Sequence, residues 1–457
     1  MKMEAVGSQM ILGLVIGIII LVFLILRTKI HAFLALIIAA AITGIIGGMP
    51  PNNVLSAITS GFGSTLGSIG IIIGFGVMMG QIFEISGAAE RMAQTFIKKL
   101  GKGREEIALS ITGFLVSIPI FCDSGFVILS PLTKALSKKT KKSVVTLGVS
   151  LAAGLVITHS LVPPTPGPVG VAGLFEVNVG SLILWGILLA IPMTIATLMY
   201  ARYLGKKIYQ LPAEDGEGWL RPPYQEPDYE AALEAEDRDL PSTAMSFAPI
   251  FVPIILILLD TVTTALGMEG SLKTIIGFFG SPVIAVGIGL IIAIYGLTGR
   301  YTREETIKHM EEGIKSAGII ILVTGGGGAL GAVLRESGAG TYIAELITKT
   351  AIPAILLPFI ISSLVRLIQG SGTVAMITAA SITAPILANL NVNPVFGALA
   401  ACIGSLVFSH FNDSYFWVVN RMLGITNAKE QMQVWSITST IAWAVGFVEL
   451  LIISMIF

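Results

Sequence analysis

Charged residues are scarce in this sequence. Of its 457 residues only 12% are Asp, Glu, Lys or Arg, whereas 54% are hydrophobic and the mean hydropathy is +0.86. Soluble domains carry about 25% charged residues, so the composition excludes an ordinary soluble fold. The formal net charge is zero, which gives no indication of a nucleic-acid partner. We therefore expect an all-α polytopic membrane protein whose main partner is the lipid bilayer.

Cysteines and the common motifs for catalysis are scarce as well. The two cysteines, Cys122 and Cys402, both lie in apolar surroundings, so a disulfide framework is not indicated. The glycine runs lack the lysine of the G-x-x-x-x-G-K-[ST] loop, which leaves no sign of direct ATP drive. Neither H-E-x-x-H nor G-x-S-x-G occurs. We expect no catalytic residue, cofactor or metal, and hence not an enzyme.

Long apolar runs are what the sequence has instead. A bilayer is crossed by about 20 apolar residues in a helix. Two segments, 105–136 and 353–389, are interrupted at their centres by Ser-Gly, and we interpret them as re-entrant hairpins. The first apolar run is interpreted as part of a retained helical hairpin rather than a signal peptide. The ten predicted spans are 9–26, 30–48, 66–84, 143–176, 179–203, 244–267, 278–298, 315–335, 393–420 and 433–457.

The distribution of positive charge predicts the orientation. With the N-terminus opposite the cytoplasm, 23 of the 28 lysines and arginines fall in cytoplasmic segments. Ten spans then place both termini outside the cytoplasm. We expect the protein to lie in the plasma (inner) membrane. The long polar stretch, 205–242, is acidic and rich in proline, and it is predicted to be a cytoplasmic linker. It divides the chain into two halves, 1–204 and 243–457.

The two halves resemble each other at an offset of 251 residues. Residues 67–93 match 318–344 at nine of 27 positions, and the same offset superposes His159 on His410. Each half holds five predicted spans and one hairpin, and because five is odd the second half must be inverted in the membrane. Inverted repeats with broken helices at the midplane are typical of secondary transporters. No other common membrane function explains these features together.

The interruptions predict where a substrate binds. A helix that begins inside the membrane presents free N–H groups and a partial positive charge, which suit a carboxylate. The alternative is that the Ser-Gly pairs are kinks for helix packing. The predicted substrate-binding residues of the two hairpins are Ser124, Gly125, Gly370, Ser371, Gly372 and Thr373. Arg366 is predicted to pair with the substrate or with a resident carboxylate, and the sequence leaves that choice open.

A second pair of interruptions follows the matched histidines. In "THSLVPPTPGPVG" the prolines cannot all lie within one helix, and "SHFNDSYFW" places polar residues inside an apolar run. Four further substrate-binding candidates are Pro164, Thr165, Asn412 and Ser414. Because ionisable groups are costly in a membrane, Asp123 and Asp413 are the first candidates for proton coupling. His159 and His410 are the second, with helix bracing as the alternative.

Four stretches in order resemble the signatures of a known family: "IPIFCDSGFVILSPL", "HSLVPPTPGPVGVA", "QGSGTVAMITAA" and "SHFNDSYFWVVNRMLG". They are similar to those of the gluconate permeases, the gluconate:proton symporters of the ion transporter superfamily. The resemblance covers essentially the whole chain. It implies proton-coupled uptake of gluconate, other hexonates, glycerate or D-serine, and an elevator in which a mobile domain moves against a dimeric scaffold. Many gluconate-type members have His where this chain has Thr165.

The residues and the resemblance together predict a secondary active transporter. We expect it to import gluconate or a similar hydroxy-carboxylate together with protons, as a homodimer of elevator type. A sodium-coupled carboxylate transporter is the alternative within the same class, since hairpin carbonyls and Asp413 could ligate an ion. An anion channel is the alternative from a different class, and it would have a pore lined by rings of charge.

Overall fold

The computed structural model describes residues 2–100, 103–213, 218–226, 240–337, 353–390, 392–410 and 413–456. The protein is polytopic and mostly helical. In the first half the helices are α1 (Lys2–Arg27), α2 (Ala32–Ile46), α3 (Pro51–Ser86), α4 (Ala88–Leu100), α5 (Glu105–Val116), α6 (Cys122–Thr140), α7 (Val144–Leu161), α8 (Pro166–Leu174) and α9 (Val179–Lys207).

The second half repeats this order of long and interrupted helices. Its elements are α10 (Thr243–Ala265), α11 (Ser271–Gly280), α12 (Pro282–Leu297), α13 (Arg303–Glu336), α14 (Leu356–Gln369), α15 (Gly372–Leu387), α16 (Pro394–Gly404), α17 (Ser414–Met422) and α18 (Ala428–Gln431), then a π-helix (Met432–Ser436) and α19 (Ile437–Ile456). Three pairs of helices begin 250 to 252 residues apart, namely α3 and α13, α5 and α14, and α6 and α15.

Helices α3 and α13, which correspond to each other, pack together along their length. They run antiparallel, because Gly61 lies against Ala332 at one end and Gly313 lies against the Val77 carbonyl at the other. Both are longer than predicted, since α3 begins at Pro51 and α13 at Arg303. The added residues are too polar or too small to register as apolar. The extension of α3 packs closely through small residues such as Gly61, and α13 begins at a capping box formed by Thr302 and Glu305.

Four helical segments among the described residues are individually long and apolar enough to cross a membrane. They are Val144–Leu174, Val179–Lys207, Thr243–Thr264 and Ala428–Ile453, and two bent pairs of helices raise the number to six. One bent pair is α11 with α12, which meet at 60°. Several of the ten predicted spans are shorter as helices than in the hydropathy pattern. Helix α2, for example, has 15 residues.

The two predicted hairpins coincide with helix pairs, which we call hairpin 1 (α5 and α6) and hairpin 2 (α14 and α15). Hairpin 1 turns through five residues, Ser117–Phe121, and hairpin 2 through Gly370 and Ser371. Gly370 adopts φ +88°, a left-handed conformation that favours glycine. The two ends of hairpin 1 meet, because Lys142 Nζ lies 2.7 Å from Glu105 Oε2 and 2.5 Å from Glu106 Oε2. A segment whose ends meet enters and leaves on one side.

The first part of the polar stretch after α9 packs against the helices and does not extend into solvent. Two short strands, β1 (Leu211–Pro212) and β2 (Trp219–Leu220), pair antiparallel. The carbonyl of Gln210 accepts from the N–H of Val144 at 2.9 Å. Arg221 forms a forked pair with Glu430 at 2.9 and 2.7 Å. We call residues 208–213 and 218–224 the docked linker, since they contact the ends of helices from both halves.

Candidate functional site

A cavity of about 310 Å³ lies where the interrupted elements of both halves meet. Each hairpin packs against the broken span of the other half, α6 against α17 and α15 against α8. The cavity is lined by Phe121, Cys122 and Asp123 of hairpin 1; by Val156, His159 and Ser160 of α7; by Arg366, Gly370, Ser371, Gly372, Thr373 and Met376 of hairpin 2; and by Ser405, Leu406, Ser409, Asp413, Ser414, Tyr415, Trp435 and Ser439.

Three helices begin at this cavity, namely α6, α15 and α17. The side chain of Ser371 accepts from Val374 N at 3.3 Å and caps α15, and Asp413 accepts from Tyr415 N at 3.1 Å and caps α17. The N–H groups of a first helical turn have no partner within the helix, and the helix dipole makes this end positive. Three such ends favour an anionic ligand in the cavity.

Arg366 and Asp413 form a buried ion pair in the cavity wall. Arg366 Nη2 lies 2.5 Å from Asp413 Oδ2, and each side chain is 8% exposed. Ser409 Oγ also donates to Asp413 Oδ2, and Trp435 Nε1 donates to Ser409 Oγ at 2.9 Å. The structure thus assigns Arg366 a resident carboxylate as its partner, a choice that the sequence left open.

Asp123 faces the same cavity in a different environment. Ser414 Oγ donates to its Oδ1 at 3.3 Å, across the boundary between the two halves. Cys122 Sγ lies 3.7 Å from its Oδ2. The two predicted proton-coupling carboxylates therefore lie in one cavity, and of the two only Asp413 has an arginine recorded as its partner among the described residues.

The two histidines do not occupy equivalent positions. His159 is buried at the cavity, its ring centroid 5.6 Å from that of Phe121, and its Nδ1 has no hydrogen-bond partner among the described residues. His410 does not line the cavity, and its Nε2 lies 3.0 Å from the carbonyl oxygen of Leu367. Its contact braces hairpin 2, so the match at 251 residues does not extend to the surroundings of the two rings.

Several predicted residues lie behind the cavity wall. The hydroxyl of Thr165 donates to the carbonyls of His159 at 3.0 Å and Val162 at 2.7 Å, so it stabilises the break between α7 and α8. Pro164 packs its carbonyl against Gly76, and Gly125 packs against Leu155. Asn412 and the side chain of Ser124 lie outside the described residues.

Contrary to what the sequence suggests, the two hairpins do not correspond to each other at their Ser-Gly pairs. Counted from the first residue of α6 and of α15, Asp123 corresponds to Thr373, and Ser124 to Val374. Ser124-Gly125 lies in the first turn of α6, whereas Ser371-Gly372 lies at the break itself. The turns differ in length, which a short motif does not reveal.

Two residues of the site, Ser409 and Trp435, were not among the predicted ones. Ser409 opens the stretch "SHFNDSYFW", but a serine carries no charge that would single it out there. Trp435 lies in the π-helix Met432–Ser436, a rare form that is frequent at functional sites. The wider helical turn brings this part of the chain to the cavity, and no periodicity in the sequence indicates it.

Residues 9–456 match the pattern of the GntP family permeases. The chain belongs to the GntP permease family. This confirms the resemblance that the four sequence stretches indicated, and it identifies an integral membrane permease rather than an enzyme.

Several relatives match this chain over nearly its whole length. The chain is 51% identical to an uncharacterized permease of Haemophilus influenzae, over 98% of this chain and 92% of the relative. It is 32% identical to the gluconate permease of Pseudomonas aeruginosa, over 98% of each. It is 34% identical to the high-affinity gluconate transporter of Escherichia coli, over 96% of this chain and 98% of the relative.

Solved transporter structures share the fold at low sequence identity. The YdaH transporter of Alcanivorax borkumensis superposes with a TM-score of 0.61 at 16% identity and 87% coverage of both chains. MtrF of Neisseria gonorrhoeae, described as one of a class of antimetabolite efflux pumps, gives 0.57 at 14% identity, covering 93% of this chain and 96% of its own. Both support a polytopic transporter fold.

Proposed function

We propose that this permease is a secondary active transporter that imports gluconate or a related sugar acid together with protons. The observation that carries the proposal is the cavity formed jointly by both hairpins and both broken spans. Two full-length relatives are named for gluconate, which supports the substrate class.

The size and the chemistry of the cavity suit a hydroxylated carboxylate. Its volume of about 310 Å³ lies at the lower end of the range for small-ligand sites, about 300–1,000 Å³. Three helix N-termini and Arg366 favour the carboxylate of the substrate. The hydroxyl side chains of Thr373, Ser405 and Ser414 offer hydrogen bonds to the substrate hydroxyls.

We infer two inverted repeats and an elevator movement from the same packing. The antiparallel contact of α3 with α13 supports a two-fold relation between the halves. Because each hairpin packs on the broken span of the opposite half, α5–α9 and α14–α19 form the mobile domain, and α1–α4 and α10–α13 belong to a dimeric scaffold. Both termini lie opposite the cytoplasm.

Proton coupling is assigned to a carboxylate of the cavity, and the first candidates are Asp123 and Asp413. Both line the cavity, so a proton on either one would lie close to a bound substrate. His159 reaches the cavity and is the second candidate, whereas His410 has a bracing contact.

The test is uptake of radiolabelled gluconate into proteoliposomes that hold the purified protein. An imposed inward proton gradient should drive accumulation above the external concentration, and an inward sodium gradient alone should not. Accumulation with sodium alone would contradict proton coupling. Conductance without saturable exchange would indicate a channel. No transport or binding of any sugar acid would contradict the substrate class.

A further inference from the structure

The hydrogen-bond donors of the Arg366 side chain are only partly used. It is seven percent exposed, its Nη2 contacts Asp413, and its Nε is buried without a hydrogen-bond partner among the described residues. A guanidinium carries five N–H donors in a planar fork that matches a carboxylate with two parallel hydrogen bonds. Because Arg366 lines the cavity, a carboxylate that enters meets donor capacity that the protein does not fully use.

Asp413, in contrast, is held on every side. Its Oδ1 accepts from Tyr415 N and its Oδ2 accepts from Ser409 Oγ and from Arg366. Ser409 in turn is fixed by Trp435. Without Arg366 the Asp413 carboxyl would still be held by the first turn of α17 and by Ser409. Of the two partners, the long side chain of Arg366 is the one that can turn towards a ligand.

We propose that Arg366 is the receptor for the substrate carboxylate and that Asp413 occupies this receptor while the cavity is empty. This rests on the proposed function of sugar-acid transport. When a substrate carboxylate reaches Arg366, two carboxylates compete for one guanidinium in a buried site. One proton then binds to Oδ2 of Asp413, the Arg366–Asp413 pair opens, and an Arg366–substrate pair replaces it.

The charges balance across this exchange. The empty receptor holds Arg366 as a cation and Asp413 as an anion, and the occupied one holds Arg366, a neutral Asp413 and the substrate anion. These groups sum to zero in each state, so the exchange itself leaves no additional uncompensated charge buried. Entry of the substrate anion and entry of one proton are therefore the same event, which couples the two thermodynamically.

The other groups around Asp413 favour this assignment. The titratable residues that share the cavity are Asp123 and Cys122 of α6, His159 of α7, Arg366 of α14 and Tyr415 of α17 itself. Tyr415 donates its hydroxyl to the Ala152 carbonyl at 3.2 Å. An ionised Asp123 would disfavour an ionised Asp413 beside a bound substrate anion, because like charges in one buried site repel.

The test is gluconate binding to the purified full-length protein as a function of pH. Where one proton is taken up per gluconate bound, the dissociation constant should rise about tenfold per pH unit. Asp413→Asn should abolish this slope. Asp123→Asn is the matched control and should retain the slope, whatever its effect on affinity. A slope that survives in Asp413→Asn would overturn the proposal.

Arg366 is tested separately. Arg366→Gln should weaken gluconate binding about 100-fold or more, with part of the affinity recovered in Arg366→Lys. Arg366→Gln leaves Asp413 buried without its cation, which could weaken binding by itself. The double variant Arg366→Gln/Asp413→Asn removes both charges and controls for this effect. It should bind gluconate as weakly as Arg366→Gln alone. Undiminished affinity in the double variant would overturn the receptor role.

The failure of this inference is distinct from failure of the proposed function. If the wild-type protein binds gluconate with no dependence on pH, only the exchange at Arg366 is contradicted. If it binds no sugar acid at any pH, the proposed function fails. The hexitol glucitol, which has a CH2OH group in place of the carboxylate of gluconate, should not bind the wild-type protein.

Discussion

The two hairpins carry their buried ion pairs at opposite ends. In hairpin 1 the pairs lie at the base, where Lys142 contacts both Glu105 and Glu106. In hairpin 2 the pair lies near the tip, where Arg366 contacts Asp413. The first arrangement joins the two ends of one hairpin to each other. The second joins a hairpin to a broken span, at a position where a ligand can take the place of one partner.

The broken spans differ in the same way. Asp413, before α17, caps the helix and receives Arg366. Thr165, before α8, turns its hydroxyl back to the carbonyls of His159 and Val162 and makes no cap. Positions that correspond in the two halves thus share a backbone role and differ in chemistry. The related halves supply the shape of the site, and the second half supplies its exchangeable charge.

The largest effect is expected at the base of hairpin 1. Lys142→Met leaves the buried Glu105 without its cation, while Glu106 keeps its pair with Arg202, and the change should cost about 3–5 kcal/mol of unfolding free energy. Gluconate affinity of the folded fraction should be retained, since the base does not line the cavity. Thermal and denaturant unfolding in detergent measure the first quantity. Lys206→Met, an exposed lysine of α9, is the control and should leave stability within about 0.5 kcal/mol.

The docked linker is tested at Gly424. This residue adopts φ +71°, and a Cβ there would lie 1.9 Å from Trp219 Nε1. Gly424→Ala combines backbone strain of about 1–2 kcal/mol with a clash of about 1–3 kcal/mol. Gly267 also follows a helix with φ +66° but has no atom within 4 Å of its Cβ position among the described residues. Gly267→Ala should show the strain alone, and equal losses would contradict the docking.

Two tryptophans make similar hydrogen bonds to serines, one at the cavity and one away from it. Trp435 Nε1 donates to Ser409 Oγ and Trp443 Nε1 donates to Ser363 Oγ, both at 2.9 Å. Each Trp→Phe change should cost about 1 kcal/mol of stability. Only Trp435→Phe should also change gluconate affinity, by about fivefold, since its hydrogen bond leads to Asp413. An equal change in Trp443→Phe would contradict the specific role of this chain of hydrogen bonds.

The smallest effect is expected at the surface of the docked linker. The Glu430 carboxylate raises the pKa of Arg221 by hydrogen bonding, yet the Arg221 side chain is 46% exposed. Arg221→Gln should therefore lower the unfolding free energy by at most about 1 kcal/mol, and salt should reduce the difference. A loss of stability as large as that of Lys142→Met would contradict the expectation that this exposed ion pair contributes less than the buried one.

Much of the architecture could be predicted because it follows from local patterns. Both hairpins and the two broken spans were predicted from apolar runs interrupted by Gly, Pro, Ser and Asp. The linker was predicted from its acidic, proline-rich composition, and the family from its resemblance in four stretches. Asp123, His159, Asp413 and the tip of hairpin 2 were placed in one site on the same grounds, and they line one cavity. A break in an apolar helix is costly in a membrane, so its presence in the sequence is informative.

The remaining features depend on contacts between distant segments. The partner of Arg366 lies 47 residues away along the chain, and Trp219 of the docked linker meets Gly424 of the second half. The position of Trp435 depends on a π-helix, for which no periodic signal exists. The roles of Thr165 and Gly125 depended on which way a side chain or backbone faces, and a sequence alone does not fix this near a break.

The most direct test of the central claim is protection of the cavity by substrate. In a variant with Cys122→Ser and Cys402→Ser, Thr373→Cys places a single thiol at the tip of hairpin 2, and its reaction with a methanethiosulfonate reagent is followed. Gluconate should slow the reaction in proportion to occupancy, whereas glucitol at the same concentration should not. An unchanged rate in gluconate, in a variant that still transports it, would contradict the placement of the substrate in this cavity.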